Sequence, residues 1–216
     1  ARQVGGDLYD FFIHENTLFF AIGDVSGKGI PASLLMASTI SLLRTLSSGS
    51  NSPSQIAYSL NNSIAERNEA DMFVTFFIGM LDLRTGVMKY CNAGHTPPVL
   101  TSPDRTVAFF EMQSDLPLGI LKNHDYQEYT YRFVSGSGIL LYTDGITDAE
   151  NEKNEFYTRE RLLEIVTQNQ ELHPREFIRS IINDIQSHIK SHELSDDLSM
   201  LTKNHKIYQF FFVIFK

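Results

Sequence analysis

With 216 residues and 42% hydrophobic content, the chain has the length for one large domain or two small ones and the apolar content for a real core. A net charge of -8 without any Lys/Arg cluster excludes an extended basic surface for nucleic acid. Cys91 is the single cysteine, so no intramolecular disulfide can form, which fits a cytoplasmic setting, and no segment reads as a secretory signal or a membrane-length apolar run.

The chain opens on Val4-Gly5-Gly6-Asp7-Leu8-Tyr9-Asp10-Phe11-Phe12, which enters on glycines and turns apolar. His14-Glu15-Asn16 then separates it from a second apolar run, 18–22, a hairpin signal. That hairpin brings Asp7, near the start of one strand, and Asp24, at the end of its antiparallel neighbour, to one edge of a sheet. The second run ends in Gly23-Asp24-Val25-Ser26-Gly27-Lys28-Gly29, and Pro31 then suits the first turn of a helix. A carboxylate among glycines at a strand end can reach a hard cation such as Mg2+ or Mn2+; it can equally cap a tight turn. A phosphate loop needs Gly where Ile22 stands and Ser or Thr where Gly29 stands, so Gly27-Lys28 does not make one.

Apolar spacing predicts helices over 32–46 and 52–68, the second capped by Ser52 with Pro53 behind it. From Met72 the pattern becomes that of a hairpin, 73–81 and 87–92, broken by Ala93-Gly94-His95-Thr96-Pro97-Pro98. His95 reads as a ligand or proton carrier, or as a histidine that bonds loop backbone. Short strands follow at 99–101, 106–111 and 129–133. The buried run 138–143 ends on Asp144-Gly145, repeating the theme of Asp24. Helices are predicted over 158–168 and 174–192, and Asp196-Asp197 stands before a strand at 198–201. The closing run, 207–215, has five aromatic residues of nine and no charge; left as an open strand it would invite aggregation, so it is expected to be covered, by pairing back beside 198–201 in preference to pairing with another copy of the chain. Asp7, Asp24, Asp144 and Asp196 thus recur at strand ends, and four such carboxylates repel unless cations neutralise them.

Taken together, the first motif, Gly23 to Gly29, Asn92-Ala93-Gly94-His95-Thr96-Pro97-Pro98, Thr143-Asp144-Gly145 and Asp196-Asp197-Leu198-Ser199 resemble the metal-dependent protein phosphatase (PPM) family, in the bacterial branch of stage II sporulation protein E and RsbU. The resemblance implies an α+β fold, an α-β-β-α sandwich of two antiparallel sheets flanked by helices, with the catalytic domain over 1–203 and an atypical aromatic tail, expected to be a strand, over 204–216. It implies two Mn2+ or Mg2+ ions, with Asp24 bridging them, the Val25 backbone carbonyl on one and Asp144 and Asp196 on the other. Asp7 matches an acidic position acting directly or through water, and Asp10 and Asp197 are second candidates.

The implied reaction is hydrolysis of phosphoserine or phosphothreonine on a signalling protein, by likeness a STAS-type anti-sigma-factor antagonist, through direct attack of a metal-bridged water. The chain begins within the first motif, so it resembles an excised catalytic domain with a sensor domain upstream. Eukaryotic type 2C relatives carry a histidine after the bridging aspartate, where this chain has Ser26, so proton delivery is unassigned: Lys28 or a bound water could contribute, and Lys28 reads equally as a structural residue. A pseudophosphatase that binds phosphoprotein without turnover, and another metal-dependent phosphoesterase, are the competing readings.

Overall fold

The computed structural model describes residues 6–49, 52–66, 72–190, 198–204 and 210–215. In chain order the elements are β1 (Leu8–His14), β2 (Thr17–Val25), α1 (Ile30–Ser47), α2 (Pro53–Ala65), β3 (Val74–Asp82), β4 (Val87–Ala93), β5 (Val99–Thr101) and β6 (Val107–Phe109). There follow β7 (Tyr129–Arg132), β8 (Gly138–Tyr142), α3 (Arg159–Asn169), α4 (Pro174–Ile189), β9 (Leu198–Asn204) and β10 (Phe210–Phe215). Two antiparallel five-stranded sheets result, in the orders β1-β2-β3-β4-β7 and β10-β9-β8-β5-β6. Each belongs to its own compact unit: Ala1–His95 with Gln113–Phe133, and Thr96–Met112 with Val134–Lys216.

In the first unit α1 packs on β1 and β2, and α2 on β3 and β4. Side chains that alternate along the strands set one face against these helices: Phe19, Ala21 and Val25 of β2 and Val74, Phe76, Ile78 and Met80 of β3 share a cluster with Leu43, Ile56 and Leu60. The opposite face of β2 is also buried, through Leu18, Phe20 and Ile22, which is why this strand reads as a continuous apolar run. Its pairing with β3 runs on to Val25, past the run 18–22 that the sequence marks, so Asp24 lies inside the strand rather than after it.

Local chemistry sets the helix starts. Gly29, at φ 84, is the N-cap of α1 and its carbonyl accepts from Ser33 N–H and Oγ. Ser52 caps α2 by accepting from Gln55 N–H, with Pro53 in the first turn. At 18 residues with a mean hydropathy of 1.3, α1 has the length and composition to cross a membrane, contrary to the expectation that no such segment exists. Its place against β1 and β2 accounts for that apolar content: Leu35, Met36, Ile40, Leu42 and Leu46 lie partly buried on the core, although Ile30 and Leu34 face outward.

In the second unit α4 packs on α3, β9 and β10, and sets Phe177, Ile181, Ile185 and Ile189 into the core on one stripe, as their spacing predicts. The aromatic closing run forms β10, paired antiparallel to β9 from Phe210 with Lys203 to Phe215 with Leu198; residues 205–209 lie outside those described. Deleting residues 207–216 is expected to lower the melting temperature and raise the binding of an apolar dye, because β9 loses a six-residue ladder and α4 a strand it packs on. Unchanged melting and dye binding would contradict that role.

Candidate metal centre

The hairpin of β1 and β2 fixes where the first two carboxylates stand. Leu8 pairs with Gly23, and Val25 N–H donates to the Gly6 carbonyl at 3.3 Å, so the ladder continues one step past β1 and sets Asp7 opposite Asp24. Residues directly opposite in a ladder point to the same face. That face is the one away from the helices, since Leu8 and Val25, their neighbours in the chain, belong to the helix-side cluster. Asp24 in turn pairs with Thr75 of β3, so Asp7, Asp24 and Thr75 form one row across three strands.

Two glycines keep the row compact. A Cβ on Gly6 would sit 2.7 Å from the Val25 carbonyl oxygen and 3.3 Å from Asp24 Oδ1, so a side chain there would crowd both oxygens. A Cβ on Gly23 would sit 2.4 Å from the Thr75 carbonyl oxygen. Beyond Val25 the chain is held to the residue just before β3: Ser26 N–H donates to the Phe73 carbonyl at 2.9 Å, and Phe73 N–H donates to Ser26 Oγ at 2.8 Å. Ser26 therefore anchors the loop, while Lys28 after it is exposed.

Asp10 is placed differently from Asp7 and Asp24. It shares the helix-side face with Leu8, and both its oxygens are gripped by Arg44 of α1, from Nε at 2.6 Å and Nη2 at 2.7 Å. Three residues beyond Asp7 in a strand means the opposite face, so the period of two separates these neighbouring acids. Asp10 ties α1 to β1.

His95 is buried and its Nδ1 lies 3.0 Å from Thr75 Oγ1. Asn92, also buried, holds the backbone of His95 from both sides, accepting from its N–H at 2.9 Å and donating to its carbonyl at 3.0 Å. Between them Gly94 adopts φ 77, and a Cβ there would come 2.6 Å from Pro117 Cγ, so glycine is needed for both torsion and space. Thr75, Asn92 and Arg44 are roles that sequence reasoning missed. The signal for Thr75 was its standing as the one hydroxyl in the apolar run 73–81.

In the second unit Asp144 follows β8 and is exposed. Its carbonyl accepts from Asp148 N–H at 2.9 Å and Thr147 Oγ1 at 3.1 Å, so it begins a turn. The preceding Thr143 is laced to β9: its N–H donates to the Ser199 carbonyl, and Ser199 N–H donates to Thr143 Oγ1, both at 3.1 Å. Asp196 and Asp197 precede β9 and lie outside the described residues. Among the described residues, no three His, Cys, Asp or Glu side chains are grouped to hold a metal.

The model of the stage II sporulation protein E (SpoIIE) family matches residues 14–206. The chain belongs to the SpoIIE family. Among its relatives, the phosphoserine phosphatase RsbU of Bacillus subtilis (strain 168) is 28% identical over 96% of this chain and 61% of its own length, so the chain spans about three fifths of that relative. Of solved structures, the RsbU and RsbW domains of Rv1364c from Mycobacterium tuberculosis superpose with a TM-score of 0.78 at 23% identity, covering 93% of this chain and 57% of that one. RsbX in complex with magnesium gives a TM-score of 0.69 at 18% identity, covering 93% and 87%. At these identities the structural likenesses speak for the SpoIIE-type fold, two antiparallel sheets with four helices.

Proposed function

We propose that the chain is the catalytic part of a metal-dependent serine/threonine protein phosphatase of the cytoplasm. The observation that carries the reading is the pairing of Asp7 with Asp24 on one face at the end of the β1–β2 ladder, in a chain of the SpoIIE family. Two carboxylates at facing positions, with the Val25 backbone carbonyl beside them that a side chain on residue 6 would crowd, form an all-oxygen donor set suited to Mn2+ or Mg2+. In this reading Asp7, Asp24 and the Val25 carbonyl hold metal; the places of Asp144 and Asp196 among the ligands, and the number of two ions, rest on the resemblance. The named phosphoserine phosphatase RsbU and the magnesium complex of RsbX support the same chemistry.

Bound there, the ions would supply a water acidic enough to ionise near neutral pH and would offset charge on the phosphoryl oxygens. The chain's own part is geometry. The ladder fixes the two carboxylates, and Ser26 holds the loop to β3. Asp10, committed to Arg44, is left out of the ligand set.

The substrate we infer is phosphoserine or phosphothreonine on a STAS-type anti-sigma-factor antagonist, under an upstream sensor domain; the pairing of RsbU and RsbW domains in Rv1364c fits such a signalling circuit. The test is phosphate release from a panel holding a phosphorylated STAS domain, unrelated phosphoserine peptides and a phosphodiester, with EDTA or with Mn2+. Release from the STAS protein is expected only with metal, falling by about 100-fold or more on chelation. Robust turnover in EDTA would reject the metal mechanism, cleavage of the diester would point to another phosphoesterase, and binding without release in Mn2+ to a pseudophosphatase.

A further inference from the structure

We propose that Thr75 and His95 are positioning residues that set the aim of the Asp24 carboxylate through a directed chain of hydrogen bonds. This rests on the reading of Asp24 as a metal ligand. Thr75 stands opposite Asp24 on the same face, and its Oγ1 lies 3.3 Å from Asp24 N, 3.5 Å from Asp24 O and 3.0 Å from His95 Nδ1. A hydroxyl has one proton to give. The histidine nitrogen is nearer than the Asp24 carbonyl, so the geometry points to Asp24 N–H donating to Thr75 Oγ1 and Thr75 O–H donating to His95 Nδ1.

The arrangement is built to hold still. His95 is 4% exposed, and its backbone is gripped on both sides by the Asn92 side chain, itself 2% exposed. The turn that swings the ring back toward β3 needs Gly94 at φ 77 beside Pro117. What this rigid support ends on is one peptide, that of Asp24, just before β2 gives way to the loop of Ser26 to Gly29. The β3 ladder and the Ser26–Phe73 pair already hold the backbone on either side, so the Thr75–His95 pair adds a fixed hydrogen-bond direction at the Asp24 peptide, from which the carboxylate hangs through Cα and Cβ. Partners outside the ligand sphere commonly orient ligands and change metal affinity by 10–100-fold when removed. A histidine that served only to fill its loop would stabilise the fold and leave metal affinity alone.

The test reads Mn2+ affinity by calorimetric titration, the melting temperature in EDTA, and kcat/KM with 4-nitrophenyl phosphate. Thr75→Val, which keeps the shape and removes the hydroxyl, is expected to weaken Mn2+ binding about 10-fold or more, and Thr75→Ser to stay within about threefold of wild type. His95→Gln should lose affinity as Thr75→Val does, whereas His95→Asn, whose amide reaches the place of Nδ1, should recover part of it. The double variant Thr75→Val with His95→Gln should bind no more weakly than Thr75→Val alone, because one break already severs the chain. Wild-type affinity in Thr75→Val, or losses that add, would overturn the proposal. Either pair of variants decides alone if a member of the other gives no cooperative melt. Asp24→Asn separates the two levels: undiminished Mn2+ binding there removes the metal reading itself, whereas loss there with none in Thr75→Val removes only the positioning chain.

Discussion

Asp24→Asn is expected to lower turnover of a phosphoserine substrate in saturating Mn2+ by at least about 100-fold, while Asp10→Asn lowers it only severalfold. The first number follows because partners outside a metal's ligand sphere already cost 10–100-fold, so the loss of a residue proposed as a direct ligand sets a floor near the top of that range. The second follows from the strand's period. Asp10 lies on the helix-side face of β1, with both oxygens on Arg44 of α1, and Phe11 N–H donates to its Oδ1 as well. Its loss loosens α1 on β1, which appears as a lower melting temperature rather than a changed chemical step. Steady-state assays at several Mn2+ concentrations, paired with melts in EDTA, check both. Equal, small losses in the two variants would reject the assignment of Asp24.

The two acids illustrate what a sequence makes legible. The hairpin was readable because apolar runs and the polar break at Glu15-Asn16 are local signals, and an antiparallel hairpin then brings the first strand's start to the second strand's end. Which of Asp7 and Asp10 shares a face with Asp24 depends on register, which the two-residue turn Glu15-Asn16 sets by pairing His14 with Thr17; the sequence marks a three-residue break, 14–16, and so leaves that register open. The contact of Thr75 with His95 was hidden because it is long-range. They are twenty residues apart and meet only because β3 and the turn after β4 are brought together, the loop being held by Asn92. The helices were legible within a few residues, through Pro31, Ser52-Pro53 and Pro174, but α2 ends at Ala65 and α4 at Ile189, short of the predicted 68 and 192. Helix ends fray, and their limits depend on caps more than on apolar spacing. Residues 67–71 and 191–197 lie outside the described chain, Asp196 and Asp197 among them.

Glycine in the first two motifs has two physical meanings, and a single methyl separates them. Gly23→Ala is expected to lower the melting temperature more than Gly27→Ala. A Cβ on Gly23 falls 2.4 Å from the Thr75 carbonyl oxygen, 3.0 Å from Phe76 Cδ2 and 3.4 Å from Leu8 Cγ. The nearest of these atoms is backbone, so relief requires β3 to move off β2 at the very pair, Asp24 with Thr75, that completes the row of site residues. Overpacking of this kind costs about 3 kcal/mol, which for a chain of this size is roughly 6–12 °C. A Cβ on Gly27 meets nothing within 4 Å; its obstacle is only φ 86, worth about 1–2 kcal/mol, or roughly 2–8 °C. The two variants should also part in function, Gly23→Ala weakening Mn2+ binding because the strand that supports Asp24 has shifted. Calorimetric melts in EDTA and Mn2+ titrations of both proteins check the pair. A Gly23→Ala protein that melts within about 2 °C of wild type would show that β2 and β3 are not held at the separation that makes glycine necessary there.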